Sequence, residues 1–512
     1  MKKQIIRFGL LLFIILQVLF PAKAQDQDIK SMVETWRKAY NVPGMSVGII
    51  RNGQVVLSEG FGVLEEGKNQ KADQNTLYSI ASNTKAFISA SIAHLVMQGK
   101  LKWDDRVRQY LPYFELYDPC VSEMMTIRDL LSHRSGLGTF SGDVVWYRSD
   151  YSAEEVVKHV AALPPASDFR TQFGYSNVMY LAAGEVIRAV TGKPWDVYIR
   201  ETFLNPLGMN RTITSTGQIP STNNVASPHK PEGDHNRPIP WVAWDNMGAA
   251  GGIISSVDDM LKWLDLQLHN GIIGTDTFFT KGLQTTMWTP HVNYPVSDRS
   301  RELFGGRNFN GYGLGWGTSE YSGRQMLSHT GGYDGMYSAV TLLPGEKLGI
   351  VVLTNTMDGI GTWLSYEIID RLLGLPHHDW QQMGLNQDKG HWDDRAARIK
   401  ERTDARVSGT KPSMDAATIS GLYRCPLYGD IRIAQDQEGL TLHFEASPGL
   451  EARLTHWHYD TYRLDWTEAQ AWFEFGTVQV LKDNNGKPSG LRFDVPNDDI
   501  FFEEIKAERV KP

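Results

Sequence analysis

The chain has 512 residues, 41% of them hydrophobic and 21% charged, enough apolar material for several cores and too much for a disordered protein. Its formal net charge of −8 leaves no surplus of lysine and arginine for a nucleic-acid partner. Two cysteines, Cys120 and Cys425, cannot build a disulfide framework and are read as free thiols.

Residues 1–24 predict a signal peptide. Lys2, Lys3 and Arg7 precede an apolar run from Leu10 to Phe20, and Ala22-Lys23-Ala24 offers a small-x-small cleavage site. Cleavage there removes four positive charges and no negative ones, taking the net charge to −12. The run is short for a membrane span, and no later stretch reaches 18 consecutive apolar residues. A periplasmic or secreted protein is expected, with no stable membrane insertion after cleavage.

Next comes a hairpin, Met45 to Ile50 and Gln54 to Ser58 around an Asn52-Gly53 turn. Helices are predicted at Thr84 to Gln98, Ile127 to Leu131, Asn177 to Thr191 and Val257 to His269. A second pair of strands, Met336 to Leu343 and Leu348 to Asn355, precedes a helix at Thr362 to Leu373. Hairpins at both ends of a helical stretch predict one antiparallel sheet flanked by helices, an α+β domain over residues 25–375. Residues 376–413 are charged and read as a linker containing a solvated helix. From 414 to 512, short β segments include Asp430 to Ala434, Leu440 to Phe444, Tyr462 to Trp466 and Trp472 to Leu481, predicting a small all-β barrel or meander.

Ser82-Asn83-Thr84-Lys85 is a Ser-x-x-Lys that opens an apolar helix. At spacing i, i+3 both side chains share a face, and the helix N-terminus favours negative charge on the serine while burial eases deprotonation of the lysine. Two other Ser-x-x-Lys matches, from Ser227 and from Ser408, run into Pro228 and Gly409 and open no apolar helix. Tyr175-Ser176-Asn177 is the only Tyr-x-Asn, and His329-Thr330-Gly331, followed by Gly332, is the only basic residue before Thr-Gly.

In this order, the three motifs resemble the serine β-lactamase and penicillin-binding-protein superfamily, and most of all its class C β-lactamase-like branch of D-peptidases and esterases. Thr126 to His133 and Gly251 to Ser256 add to the likeness, which covers residues 27–375. The resemblance implies a β-lactamase/transpeptidase-like fold with an all-helical subdomain. It implies Ser82 as nucleophile, Lys85 easing the departure of its proton, and Tyr175 as general base through a phenolate that Lys85 favours, later the acid for the leaving group. Asn177 would hold Lys85 and a substrate amide, and the N–H groups of Ser82 and Gly332 would form the oxyanion hole. Whether Lys85 or Tyr175 is the base stays open.

His329, Thr330, Gly331 and Gly332 would bind substrate. Where β-lactamases have lysine, His329 is mostly neutral near pH 7 and gains charge only below about 6.5. That disfavours β-lactams and favours D-amino-acid peptides or esters as substrates. No cofactor is required. His377-His378-Asp379 and His456-Trp457-His458 lack metal-site spacing, so no metal is assigned. Gly44-Met45-Ser46-Val47-Gly48 imitates a nucleophile elbow but runs into a strand, and His133 in its tight loop reads as structural. A catalytically idle binder of cell-wall peptides is the alternative of another class.

Overall fold

The computed structural model describes residues 28–511; the expected signal segment lies outside the described residues. Eight antiparallel strands form the main sheet, in the order Gln54–Gly62, Gly44–Arg51, Leu348–Thr354, Met336–Leu343, Arg324–Tyr333, Gly317–Tyr321, Asn310–Tyr312 and Val292–Asn293. The Asn-Gly hairpin supplies one edge. It joins the rest because Gly44–Arg51 pairs with Leu348–Thr354, Met45 facing Thr354.

Leu348–Thr354 is buried along its whole length, so its residues read as one apolar run rather than an alternation. Val351 and Leu353 face the larger core, while Ile350 and Val352 face the second. Helix Val257–Leu268 covers the first face and helix Ile360–Leu373 the other. Thr84–Met97 is buried on nearly every side and runs through the centre of the helical region, beside Asn177–Thr191.

The charged segment after residue 376 carries one helix, Trp380–Asp404. One side of it is anchored: Trp380 is buried and donates to Asp370 Oδ2 at 2.7 Å, and Arg395 is buried. Further along, Arg398 and Arg402 reach Asp498 and Asp494 of the C-terminal domain, at 2.8 and 2.9 Å.

The C-terminal domain is a closed eight-stranded barrel, from Gly421–Cys425 to Lys506–Arg509. These two strands, absent from the sequence reading, pair with each other and close it. Closure removes exposed sheet edges. The predicted strand Trp472 to Leu481 is shorter, Thr477–Lys482, and Trp472 lies in the loop before it. Cys120 is exposed and Cys425 buried, both free. Among the described residues no helix is long and apolar enough to cross a membrane.

Candidate active site

The chain leaves the short strand Tyr78–Ser79 and turns through Ala81, whose φ of 45° is left-handed backbone that a residue with a Cβ adopts at a cost. The tight turn Ala81–Asn83 follows and feeds the helix Thr84–Met97. Asn83 Nδ2 donates to Ser338 Oγ at 2.8 Å, and Ser338 Oγ donates to Ile80 O at 2.7 Å, tying this turn to the sheet. Asn83, not Ser82, holds the N-cap position, and no side chain caps the helix. The Ser82 hydroxyl is thereby left for other partners.

Lys85 is fully buried. Its Nζ lies 3.0 Å from Ser82 Oγ, 2.7 Å from Asn177 Oδ1 and 2.9 Å from Ala250 O. Burial pushes the amine down to about 7, against the nearby Asp143 carboxyl, which raises it. Two of the three partners, an amide oxygen and a backbone carbonyl, can only accept. A neutral amine has two hydrogens to give them, and its lone pair then faces the Ser82 hydroxyl.

Tyr175 and Asn177 come from the start of helix Asn177–Thr191, which Ser176 caps by accepting from Met179 N. His133, at φ 56°, accepts from Ser176 N at 3.0 Å through Nδ1, and its ring lies 4.2 Å from that of Tyr175. It is a structural histidine that fixes the Tyr-x-Asn turn. Phe140 N donates to Tyr175 O at 2.8 Å from the other side. Burial raises the Tyr175 phenol well above its ordinary value, opposed by a hydrogen bond with Ser82. Burial first, with the Tyr180 and Asp143 charges nearby, disfavours the expected phenolate.

The strand Arg324–Tyr333 brings His329, Thr330, Gly331 and Gly332 to the same place. Its neighbour Gly317–Tyr321 pairs only as far as Ser328, so from His329 onward that edge of the strand is unpaired. A Cβ on Gly331 would lie 2.3 Å from Ile80 O and 2.8 Å from Ser82 N, so only glycine lets strand and turn approach this closely. His329 Nε2 lies 2.9 Å from Tyr312 Oη and its Nδ1 lies 2.6 Å from Thr330 O. With Nδ1–H donating to the carbonyl, Nε2 accepts from Tyr312. Burial, followed by the charge of Lys85, pushes the imidazole down to about 3. The expectation of a histidine that charges below 6.5 is corrected: this ring stays neutral through that range.

Residues 26–371 match the beta-lactamase family. The chain belongs to the beta-lactamase family. Residues 405–509 match a domain of unknown function, DUF3471. Among characterised relatives, the chain is 28% identical over 444 residues to unguisins hydrolase ungD of Aspergillus violaceofuscus, covering 82% of this chain and 78% of that protein. The fold is shared with an octameric penicillin-binding protein homologue from Pyrococcus abyssi, at TM-score 0.61 and 21% identity over 94% of this chain and 99% of that one. It is also shared with a D-amino acid amidase from Ochrobactrum anthropi SV3, at TM-score 0.54 and 23% identity over 68% of this chain and 98% of that one.

In this member of the beta-lactamase family the barrel reaches the candidate cleft. Ser82, Tyr175, Asn177, His329, Thr330 and Gly332 line a cavity with about 440 Å³ of space that water can enter, and Trp472, Asp499 and Ile500 of the barrel wall it. Glu504, also of the barrel, accepts from Ser141 Oγ and from Gly142 N, holding the turn that leads to Asp143.

Asp143, Trp472 and Asp499 were not singled out as site residues in the sequence. Asp143 is only 1% exposed and accepts from Asn177 Nδ2 at 2.6 Å. No motif marks any of the three. The one available signal was an aspartate directly after a glycine turn, ahead of an otherwise apolar segment. Among the aromatic residues nearby, Trp263 stacks in the core on Phe87, while Trp244 lines the cavity and Tyr312 Oη meets His329 Nε2. The histidines near the barrel are structural: His458 Nδ1 accepts from Val407 N, and His456 meets Tyr459 O.

Proposed function

We propose that this chain is an exported serine hydrolase that works through an acyl-Ser82 intermediate, with Lys85 as the base. The observation that carries this reading is the placement of Lys85 Nζ among two obligate acceptors and the Ser82 hydroxyl. A buried amine titrating near 7 accepts the serine proton at neutral pH. As Ser82 Oγ attacks the acyl carbon, its proton passes to Lys85, and charge gathers on the former carbonyl oxygen. The N–H groups of Ser82 and Gly332 are the donors for that oxyanion. Tyr175, a neutral phenol beside Ser82, passes the proton on to the leaving group. Water then repeats the sequence on the acyl-enzyme and frees Ser82.

The substrate class best supported is a D-amino-acid amide, short peptide or ester. The fold shared with a D-amino acid amidase supports it, and so does His329, which offers no cation to a β-lactam carboxylate. Export rests on the basic, apolar and small-residue pattern of residues 1–24. A fluorophosphonate probe followed by intact-mass analysis tests the reading: one adduct on Ser82, absent in Ser82→Ala, is expected. An unlabelled wild-type protein, or an adduct elsewhere, overturns it and leaves the idle-binder alternative.

A further inference from the structure

Residues 139–143 of the catalytic domain serve the Tyr-x-Asn motif at both of their ends. The front end holds Tyr175 by its backbone: Thr139 Oγ1 accepts from Tyr175 N at 3.2 Å, and Phe140 N donates to Tyr175 O at 2.8 Å. The rear end is Asp143, which accepts from Asn177 Nδ2 at 2.6 Å, while Asn177 Oδ1 lies 2.7 Å from Lys85 Nζ. Between the two ends the backbone is left-handed twice, at Phe140 with φ 60° and at Gly142 with φ 86°. Phe140, with its Cβ, adopts that region at a cost, so the segment keeps this path only where its surroundings hold it.

Ahead of Asp143 the hold comes from the barrel. The two donors that directly precede it, Ser141 Oγ and Gly142 N, both go to the Glu504 carboxyl, the second at 2.8 Å. Neither donates to any other described residue. Glu504 ends the turn Phe502–Glu504, and Phe502 is fully buried, its ring 5.0 Å from that of Phe473 and 5.6 Å from that of Trp466. The carboxyl therefore stands on the packed core of the barrel, where side chains have little freedom to shift. Burial raises this carboxyl, and it makes no ion pair with any described residue. Both of its donors are neutral groups. What the site draws from Glu504 is reach and acceptor geometry, not charge.

We propose that Glu504 is a positioning residue for acyl transfer, through which the barrel sets Asp143 and hence the face that Asn177 turns to Lys85. This rests on the acyl-Ser82 reading above. The hydrogen-bonded path Glu504, Gly142, Asp143, Asn177, Lys85 starts in one domain and ends beside the nucleophile of the other. Hydrolysis thus depends on the docked barrel even for an ester too small to touch it. A displacement of about 1 Å in such a support can cost on the order of a hundredfold in rate.

The test uses the full chain and p-nitrophenyl acetate. Glu504→Ala should lower kcat at least tenfold and leave KM within twofold. Glu504→Gln should restore kcat to within threefold of wild type, because its amide can accept from Gly142 N and donate to Ser141 Oγ. Glu504→Asp keeps the charge but is one methylene short, so it should stay near the alanine variant. In an Asp143→Ala background, Glu504→Ala should cost less than twofold more, since the group it places is already gone. Circular dichroism checks folding; should Glu504→Ala unfold, Glu504→Asp takes its place in both comparisons. Wild-type kcat in the alanine and aspartate variants, an aspartate variant at or above the glutamine one, or a full additive loss in the Asp143→Ala background overturns the proposal. Fluorophosphonate labelling of wild-type Ser82 separates the two levels. With labelling intact, such a result removes the role of Glu504 alone; without labelling, the acyl-serine reading falls first and this one with it.

Discussion

Asn177 Nδ2 donates to Asp143 Oδ2 at 2.6 Å, and this bond decides which end of the amide faces Lys85. With nitrogen committed to the carboxyl, the oxygen must turn to the amine, where it lies at 2.7 Å. The same carboxyl raises Lys85 against the effect of burial. Acylation needs neutral Lys85, so kcat/KM for a neutral ester should rise with pH through about 7. In Asp143→Asn the raising charge is gone, the amine falls further, and the rise should move to lower pH by about one unit or more. An unmoved profile would show that Asp143 carries no charge while the enzyme works.

Ser82→Ala and Lys85→Ala should each cost at least about 3 kcal/mol of activation free energy, a hundredfold or more in ester turnover. Combined, they should be little worse than either alone, because proton donor and acceptor act as one unit. Additive losses in the double variant would place Lys85 in a separate step.

Gly331→Ala probes the approach between strand and nucleophile turn. The new Cβ would press on Ile80 O and Ser82 N, at 2.3 and 2.8 Å. Displacing Ser82 N–H from its position should lower kcat about a hundredfold. Stability should drop by only about 1–3 kcal/mol, as in other overpacked sites. Turnover near wild type, with a crystal structure showing the strand shifted, would remove that N–H from the oxyanion hole.

His329→Lys would put a second ammonium beside Lys85, in a place where the ring is 8% exposed and both nitrogens are engaged. A buried, unpaired charge should cost about 3 kcal/mol in denaturant unfolding. It should also depress Lys85 further, moving the rise in activity to lower pH. Unchanged stability would mean that the new chain swings into the cleft, and labelled penicillin should then acylate the variant faster.

The parts of the site legible in the sequence were those written in short spacings. Ser82 with Lys85, and Tyr175 with Asn177, are held by one turn of backbone each, and the helix that follows tells which Ser-x-x-Lys is the relevant one. Four of the eight strands of the sheet were legible, two of them because an Asn-Gly turn between apolar runs has one physical solution; Arg324–Tyr333 and the three short strands beyond it were not. What escaped depends on long-range placement. Trp472 read as the start of a strand because aromatic residues favour strands, yet it lies in the loop against Gly332. Asp499 carries no motif in the sequence, and only the fold brings it to the cavity. The barrel's two closing strands are short, and they declare themselves only by pairing with each other.

The main sheet also dictates when the protein can exist. Gly44 N donates to Asn355 Oδ1 at 2.7 Å, across 311 residues of chain, and the neighbouring strands pair at the same distance in sequence. Contacts this remote form late, because a long loop must close before they contribute. The first hairpin leaves the ribosome with its partner strand still unmade, and it has no further strand of the main sheet to pair with until residue 354 has been synthesised. Until then Ser82 has no Gly331 beside it, and the growing chain carries that serine without a cleft around it.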